Sequence, residues 1–356
     1  MLKKLIVLSV IFALVAGGAF AADVSGHVIG DVTLLGSDTS DATDGVISGS
    51  GGMGRIRLEA SGGDDEGTFG GWLRIQDGFS GNVWWKPIDQ FLLRIGGNGG
   101  DGYWGKDGVT RWMFYQTVSD TQVADNGHNA WGGADWSSNK TGTNFGDAFF
   151  GGWDGGLMME IKPIDILGIN IGLPYFGGGE VADIFKAAKI QLDVNLDFGN
   201  IAVTFDGAND GKVFAFVGIA AIENVDLHLG LGYAFAEGSP ISVGLGTKIG
   251  ISDSFNLKAR VMASLAGDDE ATRILFDVLP YFGINDSMTV FVSLGLQMVM
   301  PSEGDSLMGF HFNPYLQVGS EWGPKFLAGI KVVQECVPSD DAYIKWSIPI
   351  AINVGF

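Results

Sequence analysis

Large apolar residues fill every even position at the end of the chain: Ile344, Trp346, Ile348, Ile350, Ile352, Val354 and Phe356. Between them stand Tyr343, Lys345, Ser347, Pro349, Ala351, Asn353 and Gly355. A period of two is that of a β-strand, here with one apolar face and one polar or small face. Pro349 cannot donate to a ladder, so a bulge or weak local pairing is expected beside it. The same parity runs backward through the chain. Ile190, Leu192, Val194, Leu196 and Phe198 alternate with Lys189, Gln191, Asp193, Asn195 and Asp197. Val290, Val292, Leu294, Leu296 and Met298 alternate with Thr289, Ser293 and Gln297, and Ile56, Leu58 and Ala60 with Arg55, Arg57 and Glu59. Segments of this kind from Val24 to Phe356 predict about 18 strands, within a range of 14 to 18.

The turns between these segments fall into two kinds. Lys86-Pro87-Ile88-Asp89 is repeated almost word for word at Lys162-Pro163-Ile164-Asp165, and residues 222–226, 252–255 and 285–287 are looser versions. Proline presets φ and Asp hydrogen-bonds the turn backbone, so these predict tight hairpins along one rim. Their unequal spacing argues against a solenoid. The other connections are longer, and residues 96–156 form the longest, rich in Gly, Asn and Asp with Trp104, Trp112, Trp131, Trp136 and Trp153. Three readings stay open for it: a surface loop with its own small core, a constriction folded into a lumen, or an aromatic ligand platform. Val181, Ile184, Phe185 and Ala188 fall at helical spacing and predict a short helix within a loop.

A strand with one apolar and one polar face suits a wall between hydrocarbon and water. No stretch of 18 or more apolar residues follows the first 21, so helical spanning is excluded and a closed barrel is the alternative that satisfies every backbone group in lipid. The parity and the terminal aromatic Phe356 resemble the outer-membrane β-barrel proteins of Gram-negative-type bacteria, porins among them. The resemblance implies an all-β, transmembrane, antiparallel up-and-down barrel with short periplasmic turns and longer extracellular loops. It also implies that Ile348, Ile350, Ile352, Val354 and Phe356 act in barrel closure and insertion through the barrel-assembly machinery. Outer-membrane lipid and small hydrophilic solutes are the other implied partners, with a homo-trimer left open.

The chain begins with Lys3 and Lys4, an apolar run from Leu5 to Val15 and small residues ending Ala19-Phe20-Ala21. That is a secretory signal of residues 1–21, read for the Sec pathway, with cleavage before Ala22 and a single barrel domain over 22–356. The formal charge of -20 becomes more negative once both lysines leave, which disfavours nucleic acid as a partner. Acidic residues gather in the presumed loops. Glycine, 57 of 356 residues, is well above the usual ~7% and fits many turns and small inward positions. A single cysteine, Cys336, rules out an intramolecular disulfide.

On the polar parity stand Arg55, Arg57, Glu59, Arg74, Arg94, Lys189, Asp193, Lys248, Lys258, Arg260, Asp277, Lys331 and Lys345, with Glu160 and Asp197. In a barrel of this size they line an aqueous channel, where charges of both signs can set a transverse field. Trp85, Phe198, Phe255, Phe282, Phe326 and Phe356 lie near short-turn ends, as an interfacial girdle requires. The four histidines lack metal-ligand spacing, and no phosphate loop, nucleophile elbow or cysteine pair occurs, so no cofactor and no enzymatic activity are expected. His311 and Asn313 share a face, but local sequence places no serine beside them. The expectation is a porin-like channel for passive diffusion of small hydrophilic solutes or ions. The alternative is a surface antigen or adhesin displaying residues 96–156.

Overall fold

The structure, a computed structural model, describes residues 21–37, 52–75, 79–97, 156–174, 180–207, 211–235, 241–265, 272–319, 324–334 and 344–355. Strands dominate. In chain order they are β1 Ala21–Ser37, β2 Gly52–Gly63, β3 Phe69–Ile75, β4 Phe79–Ile88, β5 Phe91–Gly97, β6 Gly156–Ile164 and β7 Leu167–Pro174. A helix, α1, spans Val181–Lys186 where the apolar spacing predicts one. Then come β8 Lys189–Leu196, β9 Gly199–Asp206, β10 Lys212–Ile222, β11 Val225–Ala234, β12 Ile241–Gly250 and β13 Phe255–Leu265. The series ends with β14 Thr272–Asn285, β15 Met288–Met300, β16 Leu307–Gly319, β17 Lys325–Gly329, β18 Lys331–Gln334 and β19 Ile344–Gly355.

All pairings are antiparallel and most join chain neighbours, and β1 pairs with both β2 and β19, so the ladder returns on itself. β17 and β18 both lie between β16 and β19. They share one place, so the 19 segments occupy eighteen positions in the ring. An even number brings the chain ends to one rim, where His27 of β1 stands opposite Gly355 of β19. The hairpins at 89–90, 165–166, 197–198, 223–224 and 286–287 share that rim. The two Lys-Pro-Ile-Asp repeats share a local irregularity of register but not their ion pairs. Lys86 Nζ reaches Asp89 at 2.7 Å, and each repeat produces a register shift before its turn. In the 223–224 hairpin, Asn224 takes a φ of 61°, a left-handed conformation that asparagine tolerates.

Burial is inverted relative to a water-soluble fold. Leu192, Leu231, Val243, Leu245, Phe276, Leu294, Phe312, Ile352 and Val354 are exposed on the outer surface. Gln191, Ser242, Ser293 and His311, on the opposite parity, are 2% exposed or less. Such a contiguous apolar outer belt far exceeds what a soluble monomer shows to water, and it meets the demand of hydrocarbon. Toward the short-turn rim the belt includes Trp85, Phe198, Phe282 and Phe326, all exposed, and Phe69 stacks beside Trp85 at 6.3 Å. Phe255 is half-buried, and Phe356 lies outside the described residues.

Proline disturbs the wall in one sector. Ile330 N–H donates to the Pro314 carbonyl at 2.9 Å. Pro314 has no N–H with which to return that bond, and the strand is divided there into β17 and β18. On the far side, Pro349 stands opposite Thr33, and the next partners are Ser347 and Gly36. Two steps of β19 thus span three of β1, the bulge that proline at 349 predicts.

Candidate functional site: the inner wall

Alternation sends every second residue of each strand inward, so the inner wall is assembled row by row from cross-strand neighbours. Its most connected part lies on β7, β8 and β9. Asp193, 3% exposed, accepts hydrogen bonds from Asn170 Nδ2 at 2.9 Å and from Gln191 Nε2 at 2.9 and 3.0 Å. Thr204 Oγ1 in turn donates to Gln191 Oε1 at 2.9 Å. Two residues up β8, Lys189 Nζ lies 3.1 Å from Asp206, both side chains buried. A buried ion pair of this kind is stable only when its charges stay together, so it fixes the register of β8 against β9.

A second group lies on β2 to β5. Arg74 Nε donates to Glu59, and its guanidinium sits 4.7 Å from the centre of the Trp72 ring, a cation–π arrangement. Gly70 stands opposite Trp84, where a Cβ would fall 2.1 Å from the indole, so only glycine leaves that ring its place. Arg94 is the cross-strand neighbour of Trp84. Arg55 and Arg57 occupy register positions opposite Ile29 and His27. Glu160 pairs with Lys162 at 2.7 Å, and Asp197 is exposed in the 197–198 turn.

No family model and no curated protein matches the chain. Solved structures do. An anion-selective porin from Comamonas acidovorans superposes with a TM-score of 0.55 at 11% identity, covering 95% of this chain and 100% of that one. OmpT, an outer membrane protein of Vibrio cholerae, gives 0.51 at 9% identity, covering 95% and 98%. Pseudomonas aeruginosa OccK11 (OpdR) gives 0.51 at 9%, covering 95% and 96%. The fold is that of the bacterial outer-membrane β-barrels.

Within this barrel, the sector of β11 to β19 carries the remaining polar candidates. One row runs Asp226, Lys248, Lys258 and Leu279, and the next His228, Gly246, Arg260, Asp277, Gly295 and His311. Lys331 pairs across β19 with Ser347, and Lys345 with Val333. The charged residues singled out in the sequence are therefore distributed around the ring rather than gathered at one point. Trp104, Trp112, Trp131, Trp136 and Trp153 lie outside the described residues. Ile348 and Ile350 are half-buried on the outward parity of β19, with Ile352 and Val354 exposed beyond them.

Two features escaped sequence reasoning. Ser293 Oγ lies 2.9 Å from His311 Nε2, a serine beside the histidine that only the pairing of β15 with β16 supplies. Ser293 is 0% exposed, so an incoming acyl group has no approach and the bond reads as a wall contact. The second is an apolar inner sector. Leu279, Tyr315 and Leu327 form a buried cluster with Phe291 packed on it, and Tyr281, Phe291 and Tyr315 stack across three strands at 5.4 and 4.7 Å. Phe214 and Phe216 of β10 are likewise inward and buried. The inner wall is thus more apolar than its charged residues suggest. Among the described residues no group of three His, Cys, Asp or Glu could hold a metal ion.

Proposed function

We propose that the chain is an outer-membrane, porin-like channel passing small hydrophilic solutes or ions by diffusion. The observation that carries this is the inverted burial around a ring of eighteen positions: apolar side chains face out and hydrogen-bonded or charged side chains face in. Barrels near this strand number enclose a lumen that side chains alone do not fill, and the polar wall specifies water within it. On this reading the short-turn rim is periplasmic and residues 1–21 direct Sec export. Insertion by the barrel-assembly machinery and association into trimers belong to the same reading.

Planar-bilayer recording of the refolded protein tests it. Discrete conductance steps are expected, with ion selectivity altered when Arg260 or Lys258 is replaced by Gln. Well-folded protein that inserts without conducting overturns the channel and leaves the barrel standing.

A further inference from the structure

Two lysines face each other on the inner wall near the short-turn rim. Lys248 of β12 and Lys258 of β13 are direct register partners, and both stand on the inward parity shared with Ser242 and Arg260. Like charges placed directly opposite on neighbouring strands, with Cβ atoms about 5 Å apart, destabilise the pairing. On its other side Lys258 meets Leu279, and Lys248 meets Asp226. Among the described residues Asp226 makes no ion pair with Lys248. Arg260, two residues further along β13, is the register partner of Asp277, so the surplus of positive charge in this patch falls to the two lysines. The patch opens on the lumen. Lys248, Asn256, Lys258 and Tyr281 are half-exposed and Asp226 is exposed, in contrast to the buried residues farther from the rim. Gly246 and Gly250 flank Lys248 on the inner face of β12 and place no side chain beside it. Neither backbone nor packing demands glycine at 250: its φ lies outside the left-handed range, and an added Cβ would come no nearer than 3.4 Å to its surroundings. The room next to Lys248 is therefore not imposed by the fold.

We propose that Lys248 and Lys258 form a binding site for a small doubly charged oxyanion, of the inorganic phosphate or phosphomonoester type. Each ammonium carries three donors on a flexible four-carbon stem, so both can turn onto one anion. A dianion then replaces their mutual repulsion with two charge-assisted contacts. Asn256 and Tyr281 stand opposite each other one inward step nearer the rim and add an amide N–H and a hydroxyl as neutral donors. A monoanion balances only one of the two lysines, so charge state rather than shape is what the site selects. Inward parity separates it from lipid headgroups on the outer surface. The site deepens the channel reading by naming a solute class for the same lumen, and it rests on that reading for a water-filled approach.

The probes are inorganic phosphate at about pH 8, where it is mostly dianionic, and methanesulfonate, a monoanion of similar shape. Equilibrium dialysis against the refolded barrel in detergent at physiological ionic strength measures binding without requiring conductance. A barrel that conducts without retaining phosphate refutes the site alone, and one that retains phosphate without conducting refutes the channel alone. Phosphate is expected to bind at least about tenfold more tightly than methanesulfonate. Lys248→Met and Lys258→Met should each weaken it about tenfold, through loss of one charge-assisted contact. Lys331→Met removes the same charge from the same row of the wall, four strands away or about 19 Å at ~4.8 Å per strand. That exceeds the screening length of ~8 Å, so phosphate binding should change by less than about twofold. No retention by wild type, equal retention of the two anions, or an equal loss in Lys331→Met and Lys258→Met overturns the proposal. Should a lysine variant fail to fold, Asp226→Asn provides the second measurement: removal of the neighbouring negative charge should tighten phosphate about threefold, and an unchanged affinity refutes the site.

Discussion

A charge placed on the outer surface distinguishes lipid from water directly. Leu294 is exposed on the outward parity of β15, six residues from either end of Met288–Met300. At ~3.4 Å per residue that is about 20 Å along the strand, or about 15 Å along the membrane normal at a ~40° tilt. Leu294 thus stands near the middle of an apolar band about 25 Å tall. Because the side chain is already exposed, Leu294→Arg meets no packing obstacle, and its cost is that of moving a guanidinium into hydrocarbon, about 2–4 kcal/mol. Ile284, one residue from the end of Thr272–Asn285 and also exposed, sits at the interface instead. Ile284→Arg should cost about 0–1 kcal/mol. Reversible guanidinium unfolding from lipid vesicles measures both. If both variants stay within about 0.5 kcal/mol of wild type, as substitutions facing water do, the outer face does not contact hydrocarbon and the reasoning fails.

Three further outcomes are expected. Replacing Asp206 by Leu leaves the Lys189 ammonium buried without that carboxylate and should cost about 3–5 kcal/mol, much of it recovered in Lys189→Met/Asp206→Leu, as read from unfolding midpoints. Pro314→Ala restores a donor opposite Ile330 and should stabilise the barrel by about 1 kcal/mol, with slower amide exchange from residues 329–331. The hydrogen bond and charge of Lys86 hold the Asp89 carboxyl below its ordinary value. The contact is therefore present above the ordinary aspartate pKa of about 3.9 and lost as pH falls through the depressed one. Titration by carboxyl NMR should show the Asp89 midpoint rising in Lys86→Met, and an unchanged midpoint would refute the contact.

The strand faces were legible because alternation is a local property. Leu192 and Asp193 announce opposite sides in the sequence, and the structure places Leu192 outside and Asp193 inside. The tight turns were legible for the same reason, as was the disturbance at Pro349, since a missing N–H is felt by whichever strand lies alongside. Where both parities are apolar the pattern is silent. Val213, Phe214, Ala215 and Phe216 give no alternation to read, and Phe214 and Phe216 turn inward only because Val213 pairs with Tyr233.

What the chain could not declare is everything that depends on register between strands. Ser293 meets His311, and Tyr281, Phe291 and Tyr315 stack on one another, through the pairings of β14 to β16. A shift of one residue would turn each of those strands inside out, and a shift of two would preserve every face while separating every one of these neighbours. Alternation by itself therefore determined a two-faced wall and its approximate number of strands. Closure of the ring, by fixing the stagger of each strand against the next, decided which inward groups touch.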